Sequence, residues 1–170
     1  YAQSLQGITN LRKCGFADLM LNLPLHRSQL EGDRLEDTLR IGLGLGIRVF
    51  MVQHLTPFGR LEGARDRLPG YAEVLPVVRL LVQRYARRAR LRVSNLPPCL
   101  LRGIEAVVHP DVNNIGRIAL DPRQAPVGIA AALAHGKVKD DLCPSCEWGF
   151  LCTGFVPEPP RAGVSSLTEL

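Results

Sequence analysis

Three thiols crowd into a short stretch near the end of the chain, where Cys143, Cys146 and Cys152 form a C-x2-C-x5-C run. Two thiolates separated by two residues can face one metal centre, because the turn between them folds back on itself. A third thiolate a few residues on closes most of a coordination shell. Tetrahedral thiolate sites take zinc or an iron–sulfur cluster, and the spacing alone does not choose between them. Either metal needs a fourth ligand for a closed site. Cys99, directly after a strand pattern and Pro97-Pro98, is the leading candidate, with His109 and His135 as substitutes. The fifth cysteine, Cys14, ends a helical pattern and reads as a buried structural thiol.

Rival chemistries find less support. A C-x2-C pair can be a redox dithiol, but the strand-then-helix context such a pair needs is missing here. An odd number of cysteines and an opening unlike a secretory signal argue against a disulfide framework and for a reducing compartment, the cytoplasm. No Ser-His-Asp order, phosphate-cradling glycine loop or pair of catalytic carboxylates stands out. Gly42-Leu43-Gly44-Leu45-Gly46 lies at the end of a helical pattern, whereas a dinucleotide loop joins a strand to a helix start.

The elements that must position these thiols follow from periodicity. Leu5, Ile8 and Leu11 mark a helix over residues 1–13, stopped near Gly15. Residues 17–26 read as a buried strand. Leu35, Leu39 and Leu43 mark a second helix with Asp33 as N-cap candidate. Residues 48–55 form a second strand, followed by a loop punctuated by Pro57-Phe58-Gly59 and Pro69-Gly70. The third helix, over 71–90, carries the stripe Val74, Val78, Leu81, Val82 and Tyr85. A third strand spans 92–96. This alternation is the pattern of an α/β fold with a parallel sheet and covering helices. Three units fall short of the ~250 residues of a closed barrel, so the later half of a partial (β/α) barrel is expected over 1–98. A small irregular cysteine-rich extension follows over 99–155, with a hairpin pattern across 104–120 about a turn at 110–114. A Pro-, Gly- and Ser-rich tail over 156–170 is expected to be poorly ordered.

Composition sets outer limits. The 170 residues are 46% apolar and 22% charged, the balance of a globular fold, and no apolar run is long enough for a membrane span. A membrane partner is therefore not expected. The net charge is +5, with the densest cluster at Arg84, Arg87, Arg88, Arg90 and Arg92. Aromatics are only 5% and do not interleave with these arginines, so no base-stacking platform is present. The cluster reads as a solvated helix face, and a nucleic-acid partner is not expected. Tyr1 in place of an initiator Met suggests a chain that begins inside a longer protein.

Several segments in order resemble the second half of a radical S-adenosylmethionine enzyme with an auxiliary-cluster extension of the SPASM or twitch kind. They are residues 1–11, Asn22-Leu23-Pro24-Leu25-His26-Arg27, Gln53-His54-Leu55-Thr56-Pro57-Phe58-Gly59, Asn95-Leu96-Pro97-Pro98-Cys99, and Cys143, Cys146 and Cys152-Thr153-Gly154. The resemblance implies reductive cleavage of S-adenosyl-L-methionine to modify a peptide or small metabolite. It implies an auxiliary [4Fe-4S] cluster on Cys99, Cys143, Cys146 and Cys152, shielded from water by Trp148 and Phe150. It also places Asn22 and Arg27 near the cofactor's ribose and carboxylate, and Gln53 and Pro57-Phe58-Gly59 near its adenine. The implied partners are the missing N-terminal half of the barrel and an electron donor such as a ferredoxin or flavodoxin. The family's C-x3-C-x2-C loop is absent from these residues, so the chain alone is expected to be inactive. Val156 stands where the family's further cysteine falls, so one auxiliary cluster is expected. The runner-up is a zinc-ribbon-like structural module without redox activity.

Overall fold

A computed structural model describes residues 2–57, 61, 63–110, 113, 115–120 and 125–157. Helices and strands alternate through the first hundred residues: α1 (Ala2–Lys13), β1 (Met20–Leu25), α2 (Arg27–Leu30), α3 (Arg34–Gly44), β2 (Val49–His54), α4 (Tyr71–Tyr85) and β3 (Arg90–Ser94). The strands form a three-stranded parallel sheet in the order β1-β2-β3, with Leu23 opposite Val52 and Val52 opposite Val93. The α/β expectation with parallel strands therefore holds, and the sheet does not close into a barrel. Val108 adds a parallel bridge beside Val93, extending the sheet past β3.

The sheet buries one face. Leu23, Leu25, Phe50, Val52, Leu91 and Val93 meet the apolar stripes of α3 (Leu35, Leu39, Leu43) and α4 (Tyr71, Val74, Val78, Leu81, Tyr85) in one core. Helix α3 approaches β2 so closely that a Cβ on Gly42 would lie 2.6 Å from the Phe50 ring. Alternation along β1 turns Met20, Asn22 and Pro24 to the opposite, open face.

Some sequence expectations need correcting. Asp33 precedes α3, but its side chain makes no capping hydrogen bond. β3 begins at Arg90 rather than at 92, so Arg90 and Arg92 belong to a strand and the arginine cluster is not one helix face. The hairpin expected around the 110–114 turn is replaced by another pairing: Glu105–Val107 is a helical turn, Val108 bridges to Val93, and β4 (Ile118–Ala119) pairs antiparallel with β5 (Val127–Gly128), with α5 (Ile129–Ala134) following. Phe58, Gly59, part of the Asp111–Asn114 turn and residues 158–170 lie outside the described residues. Among those described, no helix is long and apolar enough to cross a membrane.

Candidate metal centre

Cys99 is placed by the sheet. β3 ends at Ser94, and Asn95 follows with a left-handed φ of 60°, a conformation Asn tolerates better than other side-chain-bearing residues. Asn95 Nδ2 donates to the His54 carbonyl at 2.9 Å, tying the ends of β3 and β2 together. Pro97-Pro98 then leads into a tight helical turn, Pro98–Leu101, that carries Cys99. Arg79 of α4 fixes this turn by donating to the carbonyls of Leu100 (3.0 Å) and Arg102 (2.8 Å). The thiol thus lies beyond the C-terminal edge of a parallel sheet, where ligands of α/β folds gather.

The other three thiols are presented by turns. Cys143–Ser145 is a short helical turn closed by Cys146 N–H donating to the Cys143 carbonyl at 3.2 Å. The N–H groups of Leu151 and Cys152 then donate to the Trp148 carbonyl, each at 3.0 Å. Two sulfurs accept backbone hydrogen bonds: Cys143 Sγ from Asp140 N–H at 3.2 Å and Cys152 Sγ from Gly154 N–H at 3.3 Å. Such donors fix the direction of the sulfur. Gly154 has φ +104°, and a Cβ there would collide with the Val138 carbonyl. Only glycine lets that close turn aim its N–H at Cys152. The segment docks on the core through Val156, whose N–H donates to the buried Tyr71 hydroxyl at 2.8 Å, and through Phe155, which packs against the core; the Val138–Phe155 bridge ties the segment to itself.

The Cys99 sulfur feels the other three. The Cys99 thiol is pushed up from its ordinary value, first by loss of surrounding water and then by the charges of Cys146, Cys152 and Cys143 in turn. Residues 44 or more positions apart in sequence therefore share one electrostatic neighbourhood. The donor set suits a thiolate-bound metal, and all five cysteines are free thiols. Among the described residues, however, no group of three or more His, Cys, Asp or Glu side chains is placed so that it could hold a metal ion. His109 is engaged with Asn113 at 3.3 Å.

Other expected residues divide. Asn22 Nδ2 donates to Gln53 Oε1 at 2.8 Å, joining both on the open sheet face. Arg27 is turned elsewhere, to the Glu73 carboxylate at 3.3 Å and the Leu68 carbonyl at 3.1 Å. Cys14 is exposed rather than buried, because α1 buries no residue at all. Phe150 is 78% exposed and shields nothing, since its short turn leaves it facing outward, whereas Trp148 is half-buried. Sequence reasoning missed Arg79 and Tyr71, which hold the cysteine turns. Their only signal is a place on the helix that precedes the Cys99 segment. No protein-family model, curated protein or solved structure matches the chain.

Proposed function

We propose that this chain is the C-terminal portion of a radical S-adenosylmethionine enzyme acting on a peptide or small metabolite. Its Cys99, Cys143, Cys146 and Cys152 would hold an auxiliary [4Fe-4S] cluster. The observation that carries the reading is geometric: Asn95, Leu96 and Pro98 at the end of β3 share one small pocket with Cys152, Thr153 and Gly154 of the cysteine segment, beyond the C-terminal edge of a parallel sheet. A cluster bound there supplies one-electron transfer. With all four ligands from protein, no iron position is left for substrate, so the role is electron relay or support.

The chain's own residues do the positioning. Arg79 holds the Cys99 turn, Gly154 and Asp140 aim N–H groups at sulfur, and Tyr71 docks the segment on α4. The Asn22–Gln53 pair offers hydrogen-bonding groups on the open sheet face, the side from which a barrel-bound cofactor would be met. Cleavage of S-adenosylmethionine needs the C-x3-C-x2-C loop, which these 170 residues lack. The chain alone should therefore leave S-adenosylmethionine intact.

Metal analysis after anaerobic purification tests the reading. About four iron and four acid-labile sulfide per chain are expected, with Cys99→Ser lowering both. One zinc without sulfide would replace the electron relay by the zinc-ribbon-like structural module, and absence of any bound metal would remove both.

A further inference from the structure

We propose that the groove between the C-terminal ends of α3 and α4 binds a small polyanion of the di- or triphosphate class. It lies at the N-terminal edge of the sheet, at the opposite end of the strands from Cys99, and it does not depend on the cysteine reading. The groove has a volume of about 450 Å³ and is lined by Arg40, Leu43, Gly44, Arg48, Arg87 and Arg88. That is the size range of small-molecule sites. Four guanidinium groups and no carboxylate line it.

Local pairing leaves the groove positive. Arg40 is neutralised, bonding Glu36 at 2.7 Å and Asp37 at 3.1 Å. Arg48 donates one nitrogen to the carbonyls of Leu43 (2.9 Å) and Ile47 (3.0 Å), which anchors an uncompensated cation at the rim. Arg88 lies over the Tyr85 ring at 5.9 Å. Neither Arg87 nor Arg88 is in an ion pair among the described residues. Three of the four cations are thus uncompensated: Arg48, Arg87 and Arg88. Complementing helix dipoles explains Arg48, which caps carbonyls at the end of α3. Arg87 and Arg88, just past the end of α4, also complement its dipole, but among the described residues their side chains cap no carbonyl and keep their forks free.

The shape and chemistry select the ligand. Planar guanidinium forks match phosphate oxygens two at a time. Three cations exceed what one phosphate of about −1.5 to −2 charge neutralises, so at least two phosphates fit better. No aromatic side chain lines the groove, so nothing there stacks on nucleic-acid bases.

Calorimetric titration of the full chain with inorganic tripolyphosphate tests this. Saturable one-to-one binding is expected, weakened about tenfold or more in Arg87→Ala/Arg88→Ala. The Arg87→Lys/Arg88→Lys variant keeps charge but loses the forks, and should fall between. Arg117→Ala, an exposed charge outside the groove, should bind like the parent. Unchanged melting temperature separates lost binding from lost folding. Binding that never saturates, or that falls equally in Arg117→Ala, would overturn the site as mere net charge. Tight binding of polyglutamate without binding of tripolyphosphate would overturn it in favour of an acidic protein partner.

Discussion

Glu36 sets its carboxylate against the Tyr85 hydroxyl at 2.7 Å, with Arg40 and Arg84 closing on its two oxygens at 2.7 and 2.8 Å. The Tyr85 hydrogen bond is the largest cause of its lowered pKa; burial works against it and the arginines reinforce it. Because the folded value lies below the unfolded one, this stabilisation is full above an unfolded pKa of about 4.3 and disappears as pH falls through the folded value. Both arginines are half-exposed, so screening keeps the contribution modest. Glu36→Gln should cost about 1–2 kcal/mol at pH 7, and in acid its melting temperature should converge with that of the parent chain. Thermal melts of the two proteins between neutral and acid pH check this. No such residue was visible in the sequence: a lone Glu in a helix looks like any solvated charge until Tyr85, far along the chain, meets it. The thiols were legible because C-x2-C-x5-C is local. The exposure of Cys14 and Phe150 was not, since it depends on which faces α1 and the last turns present.

At the scale of elements, close approach decides which glycines matter. Gly42→Ala drives a methyl into the Phe50 ring and should destabilise by about 1–3 kcal/mol. Gly7→Ala on α1, with open space around it, should instead stabilise by about 0.5–1 kcal/mol. Urea unfolding of both variants reads the contrast, and opposite signs are the expected outcome. Arg79→Ala removes both bonds to the Cys99 turn, so it should lower bound metal per chain while leaving the midpoint of sheet unfolding nearly unchanged. α3, α4 and the first two strands could be read from sequence because their leucines and valines recur at core spacing. β3 starts two residues before the expected strand because Arg90 lies on its exposed side, and a search for apolar runs passes over it. The β4–β5 hairpin is too short to carry a periodic signal.

For the whole molecule, the unequal faces of the sheet matter most. Parallel sheets are normally covered on both sides, yet β1 leaves Met20 52% exposed, and Phe16, four residues earlier in the chain, is 57% exposed. The isolated chain should therefore self-associate as its concentration rises, despite a net charge of +5. Sedimentation should report that association, and Met20→Lys should reduce it without changing the circular dichroism. The order of helices and strands revealed the architecture, because each local pattern agrees with the global one. The docking of residues 137–156 on the core stayed hidden, because it rests on a backbone N–H meeting the Tyr71 hydroxyl and on the isolated apolar pair Phe155 and Val156.

One further consequence is optical. Trp148 is the only tryptophan in the chain, and its carbonyl closes the turn that delivers Cys152. Its indole emission therefore reports on the cysteine segment alone, undiluted by signal from the α/β core. Intensity and wavelength of that emission should follow loading and loss of the proposed cluster in real time, and any lag between them and far-ultraviolet dichroism would separate unravelling of the segment from unfolding of the sheet.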